Sequence, residues 1–139
     1  MLTRRGFTAS CAICAVTGFI ASEASAQGAP PAGTPGVARK VLSQMDGPTA
    51  GYVTILVEAT VDPGVSVARH THPGIETSYV LEGTLELPIQ GQDTRSYNAG
   101  ETYQVPAGTP HAGGKASDKK CKIVSTYVVE KGKPLASPA

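Results

Sequence analysis

Of the three histidines in this chain, two are separated by a single residue, as His70 and His72. On an extended strand, residues two apart point to the same face, with side chains about 7 Å apart along the strand. Two imidazoles so placed can converge on one ion between them. Pro73, Gly74 and Ile75 then allow the chain to reverse, which lays the Glu76 carboxylate beside the imidazoles from the neighbouring strand. Two neutral imidazoles and a carboxylate form a mixed nitrogen and oxygen donor set suited to Fe, Mn, Co, Ni, Zn or Cu. A His-x-His pair alone does not decide the matter, because paired surface histidines are common and often inert. The other reading of the set is a hydrogen-bonded cluster without metal.

The elements that must position these side chains are short strands. The composition is 40% hydrophobic and 17% charged with 16 Gly, 11 Pro and no Trp, which favours many turns joining short strands over long helices. Strands are expected over 52–61, 66–72, 76–81, 84–89, 101–105 and 121–129. Turn signals punctuate them at Asp62-Pro63-Gly64, Pro73-Gly74, Glu82-Gly83, Gln90-Gly91, Asn98-Ala99-Gly100, Pro106-Ala107-Gly108 and Gly113-Gly114. No segment of ten or more residues carries a helical apolar period, and no repeat at solenoid spacing is visible. By strand parity Glu76, Ser78 and Val80 share one face while Thr77, Tyr79 and Leu81 share the other. Both faces carry apolar residues, so the outer one is expected to be covered by a second copy in a homodimer. Tyr79 and Tyr103 flank the histidine region and are read as core or dimer-face residues, with a hydroxyl donated to substrate as the alternative. Arg69 is expected to face outward, and Glu82 and Glu86 to be solvent-side charges.

The spacing of the fixed residues goes further. Gly64, five residues, His70, one residue, His72, three residues, Glu76, six residues and Gly83 resemble the first motif of the cupin superfamily at every fixed position. After sixteen residues, Gly100, five residues, Pro106, one residue, Gly108, two residues and His111 resemble the second cupin motif. Lys115 departs from that pattern, standing where the second motif often ends in Asn; that position is not a ligand in the family. The resemblance implies an all-β fold, the antiparallel double-stranded β-helix or jelly-roll cupin barrel. It also implies one divalent transition metal held by His70, His72, Glu76 and His111. The glycines have mechanical reasons of their own, since Gly64, Gly83, Gly100 and Gly108 sit at strand boundaries where positive φ or a tight reversal disfavours a Cβ. Only the His and Glu set needs a functional explanation.

Residues 1–26 read as an export signal: Arg4 and Arg5, an apolar run over about 7–21, then Ala24-Ser25-Ala26 as a small-x-small cleavage site. Thr3-Arg4-Arg5-Gly6-Phe7 resembles the start of a twin-arginine signal, although Thr8 and Ala9 depart from the Leu-Lys that often follows. The run is too short to span a bilayer, so a periplasmic or secreted chain without a membrane span is expected. Residues 27–37 read as a flexible linker, 38–130 as the folded barrel and 131–139 as a disordered tail. Cys11 and Cys14 lie in the leader, so the mature chain keeps only Cys121, which excludes a disulfide within the domain; Cys121 is read as a small apolar residue on a strand. Twelve basic against eleven acidic residues leave no electrostatic footprint for nucleic acid. The expected partner is a small-molecule substrate or ligand.

Three imidazoles and one carboxylate leave one or two positions on a bound ion, an arrangement more typical of catalytic than of structural sites. The leading expectation is a dioxygenase-like oxidoreductase acting on a small oxygen-rich organic molecule, with Glu76 as a ligand that also lends itself as a base. The alternatives are a non-catalytic metal- or ligand-binding periplasmic module and a metal-dependent isomerase. The superfamily hosts all of these activities, so the motifs do not choose among them.

Overall fold

Apolar residues alternating with polar ones, interrupted by glycine and proline, become ten strands in the computed structural model, which describes residues 33–139. They are β1 (Val37–Asp46), β2 (Tyr52–Val61), β3 (His70–Thr71), β4 (Gly74–Glu82), β5 (Thr84–Leu87), β6 (Arg95–Asn98), β7 (Thr102–Val105), β8 (Lys115–Ala116), β9 (Cys121–Glu130) and β10 (Ser137–Pro138). Among the described residues there is no helix, so none is long and apolar enough to cross a membrane. The export signal and most of the linker lie outside the described residues.

All strand pairs are antiparallel. Five strands form one wall in the order β1-β2-β9-β4-β7, while β6-β5-β8 and β10-β3 form two smaller sheets. Because side chains alternate along each strand, the register of the large sheet creates rows of inward residues. One row runs Gln44, Ile55, Tyr127, Glu76 and Val105, and the next runs Val41, Val57, Ser125, Ser78 and Tyr103. On one side of these rows Val61, Val80, Leu85, Leu87, Cys121 and Ile123 belong to a buried cluster, and on the other Val53 and Val129 pack with Leu135. Polar site residues therefore sit between two apolar packs.

Several expectations need adjustment. The strand expected over 66–72 is reduced to β3, with isolated bridges from Ser66 to Lys115 and His70 to His111. Its partner segment contains Gly113 and Gly114 at φ of 58° and 94°, which bends the chain out of the extended conformation. β1, β6 and β8 lie outside the expected strands; β1 is an edge strand whose alternation is broken by a register shift between Val41 and Ser43. The tail expected to be disordered is instead ordered: Leu135 is buried and Ser137–Pro138 pairs with His70–Thr71. Leu135 supplies an apolar anchor that the proline-rich composition of the tail conceals. Cys121 is fully buried on β9, and burial pushes its thiol up to about 11.

Glycine shapes the barrel differently at two motif positions. Gly64 has φ of 71° with nothing near a would-be Cβ, whereas at Gly83, with φ of 78°, a Cβ would meet the Lys120 carbonyl oxygen at 2.4 Å. We expect Gly64→Ala to cost about 1 kcal/mol for the left-handed backbone alone. Gly83→Ala adds a clash with main chain and should cost at least about twice as much. Urea unfolding of the two variants measures the difference, and equal midpoints would contradict this account.

Candidate metal centre

His70 and His72 reach the interior from β3 and the residue beyond it, Glu76 from β4, and His111 from the segment whose backbone pairs with His70. The His70 and His111 main chains exchange two hydrogen bonds, at 2.8 and 3.0 Å, which fixes His111 beside His70 although 41 residues separate them in sequence. The imidazole ligand atoms of His70, His72 and His111 lie within 4.8 Å of one another. Glu76 Oε2 lies 3.2 Å from both His72 Nε2 and His111 Nε2. The structure thus brings together all four side chains that the motifs single out.

Each imidazole is oriented by a backbone carbonyl. Nδ1 of His70 donates to Ala68 O at 2.7 Å, Nδ1 of His111 to Thr109 O at 3.0 Å, and Nδ1 of His72 to Leu135 O on the C-terminal tail. A carbonyl only accepts, so each Nδ1 carries the proton and each neutral ring presents an Nε2 lone pair. Nε2 of His72 and of His111 are buried without a hydrogen-bond partner, although both lie beside a carboxylate oxygen. Lone pairs facing a carboxylate at that distance repel one another unless a cation sits among them. Donors at adjacent positions on an ion bound at about 2.1 Å are themselves about 3 Å apart, so the observed spacing fits a transition ion.

The other carboxylate oxygen is occupied. Glu76 Oε1 accepts from Ser78 at 2.8 Å, Ser125 at 3.2 Å, and Tyr103 and Tyr127 at 3.4 Å each. The Ser78 and Ser125 hydroxyls also lie 2.6 Å apart, and with one proton each they fill two of these three contacts at a time. This hydroxyl cluster holds the carboxylate so that Oε2 alone turns toward the imidazoles. Burial and the Glu76 charge raise both tyrosines, which remain protonated donors.

Burial lowers the His70 imidazole from 6.5 to about 4, against the Ala68 carbonyl and with help from the His111 and His72 charges. Between those values the unfolded chain binds a proton that the folded chain does not, so the stability of the metal-free protein falls as pH drops from about 6.5 toward 4. Urea midpoints of chelator-treated protein at pH 7.5 and pH 5 test this, and a higher midpoint at the lower pH would contradict it.

A cavity of about 230 Å³ opens over the cluster, lined by the four residues and by Ile55, Val57 and Ile123 among others. Arg69 is exposed at the edge of that cavity and donates to Gln90 at 2.8 Å, and Tyr79 faces outward, as its parity requires. Tyr103 reaches the site itself rather than serving only as packing. Ser125, Tyr127, Arg39 and the Leu135 carbonyl were not singled out from the sequence. Strand parity already placed Ser78 on the Glu76 face, but only the β4–β9 register shows that Ser125 and Tyr127 join it.

An antiparallel jelly-roll barrel with an inward cluster of three imidazoles and a carboxylate defines a cupin. The Cupin domain family model matches residues 57–127, and the chain belongs to that family. It is 36% identical over 73 residues to the HTH-type transcriptional regulator PuuR of Escherichia coli (strain K12), a match covering 52% of this chain and 39% of that one. The chain therefore spans about two fifths of the length of the curated relatives it matches. Among solved structures it is similar to KdgF from Halomonas sp., with a TM-score of 0.58 and 21% identity over 71% of this chain and 84% of that one. It is also similar to the DMSP lyase DddQ from Ruegeria pomeroyi DSS-3, with a TM-score of 0.63 and 19% identity over 74% of this chain and 51% of that one. At these identities the likeness is one of fold.

Proposed function

We propose that this chain is a mononuclear metal cupin in which His70, His72, Glu76 and His111 hold one divalent transition ion and a small oxygen-rich organic molecule is oxidised beside it. The observation that carries the reading is the pair of orphaned, buried Nε2 atoms beside a carboxylate oxygen that cannot donate to them. A bound ion would supply Lewis acidity and, if iron, a route for electrons to dioxygen. The chain's own residues do the rest. Three carbonyl acceptors fix the imidazole tautomers, and the hydroxyl cluster fixes the carboxylate rotamer. The apolar wall of Ile55, Val57 and Ile123 excludes water from the reacting face. Glu76, whose Oε1 is held by hydroxyls and whose Oε2 lies beside the imidazoles, serves as a ligand in preference to a base.

Dioxygen uptake by Fe(II)-loaded protein across a panel of small hydroxy and keto compounds tests the reaction. Substrate-dependent uptake supports it. Turnover without uptake would replace the oxidation by Lewis-acid isomerisation, and stabilisation by a compound without turnover would make the chain a binding module. The match to a transcriptional regulator favours that binding module as the second reading.

Two further expectations join this proposal. Ile75, Tyr79 and Leu81, between 41% and 49% exposed on the outer face of β4, favour a homodimer, which light scattering on the purified chain tests. The leader favours export with cleavage after Ala26, which the mass of the mature protein tests.

A further inference from the structure

β1 points Val37, Arg39 and Val41 to the interior, opposite Val61, Ala59 and Val57 of β2. An arginine on the inner face of a barrel is unusual unless a carboxylate pairs with it. Among the described residues no acidic group forms an ion pair with Arg39, which is half-buried in the cavity wall. Glu58, beside its neighbour in the register, lies opposite Lys40 and has the parity of the outer face. Among the described residues Glu76 is the only acid lining the cavity; its Oε1 is taken up by the hydroxyl cluster and its Oε2 is turned to the three imidazoles. Opposite Arg39 stands Ala59, whose single methyl group leaves the guanidinium room to lie over the sheet. Arg39, Tyr127 and the four donor residues line one cavity, and the Tyr127 hydroxyl lies 3.4 Å from Glu76 Oε1, so Arg39 and the metal centre bear on the same space.

With a divalent ion on the four donors, one carboxylate and three neutral imidazoles leave a net charge of one plus, and Arg39 adds another. The cavity of about 230 Å³ has room for a small organic molecule. A guanidinium fork matches a carboxylate with two parallel hydrogen bonds. We propose that the cavity selects a small organic acid, its carboxylate paired with Arg39 and its other polar end turned to the metal centre. The second anchor rests on the metal reading given above, whereas the first does not.

The test is calorimetric binding of pyruvate, lactate, succinate and glutarate, each with its uncharged amide, to the mature chain with and without one equivalent of nickel. Wild type and Arg39→Gln are compared, with Arg39→Lys as a second variant should the glutamine protein not fold. At least one acid is expected to bind wild type at least tenfold more tightly than its amide. Arg39→Gln should remove that preference, loosening the acid about 10- to 100-fold, while nickel affinity stays unchanged. Arg39→Lys should retain part of it. Acid binding that is equal in wild type and variant, or no tighter than amide binding, overturns the proposal. Absence of nickel binding by wild type would instead overturn the metal reading, and the Arg39-dependent preference would still be read in the metal-free series.

Discussion

Glu76→Gln is expected to lower affinity for a divalent transition ion by at least about 100-fold, the upper end of what outer-shell substitutions alone cost, yet to leave the metal-free protein at pH 8.5 no less stable than wild type. The opposite signs follow from the hydrogen-bond inventory. At pH 8.5, about two units above the ordinary imidazole pKa, the Nδ1 protons of the three rings are committed to Ala68, Leu135 and Thr109 carbonyls. Two Nε2 lone pairs then face a carboxylate oxygen at 3.2 Å with no proton between them. A glutamine amide at Oε2 donates to those nitrogens while its oxygen still accepts from Ser78 and Ser125. If the cluster were instead a buried ion pair between Glu76 and a protonated imidazole, removing the charge would destabilise the metal-free protein by about 3–5 kcal/mol. Urea unfolding of chelator-treated wild type and variant separates the two cases. A large loss at pH 8.5 would sink the metal reading of these side chains.

Ending the chain at Pro134 is expected to weaken metal binding about 10- to 100-fold, the cost typical of losing a group that orients a ligand. The tail provides the Leu135 carbonyl that accepts the His72 Nδ1 proton, and its last strand pairs with the His70–Thr71 main chain. Leu135 → Ala keeps that carbonyl but strips the side chain from its pack against Val53, Ile55, Val57 and Val129. That variant should lose about 2–5 kcal/mol of stability with little change in metal affinity. The two variants therefore separate the anchoring of the tail from its hydrogen bond to the ligand. Metal affinity unchanged by truncation would show that His72 needs no help from the tail.

Much of this site is legible in the chain because ligand spacing and turn chemistry are local properties. His70, His72 and Glu76 lie within seven residues, and strand parity is enough to aim two rings the same way. His111 was placed by a motif, and the structure shows the physical reason: its main chain pairs directly with that of His70. Residues contributed through long-range register were invisible. Ser125 and Tyr127 reach Glu76 only because β9 pairs with β4 in one alignment, and a shift of one residue would turn both away. Arg39 was overlooked because β1 is an edge strand with a register shift, whose mixed polar sequence hides its inward face. The tail was read as disordered from its prolines and lysines, yet a single leucine and a short strand pair order it.

The most direct measurement is a titration of the chelator-stripped mature chain with cobalt or nickel, followed by elemental analysis after gel filtration, for wild type and His111→Ala. His111 Nε2 is buried and faces Glu76 Oε2, so its loss removes one donor without touching the His-x-His pair. The account predicts one ion retained per wild-type chain and little or none in the variant. No ion on wild type, or equal retention by both proteins, would contradict it.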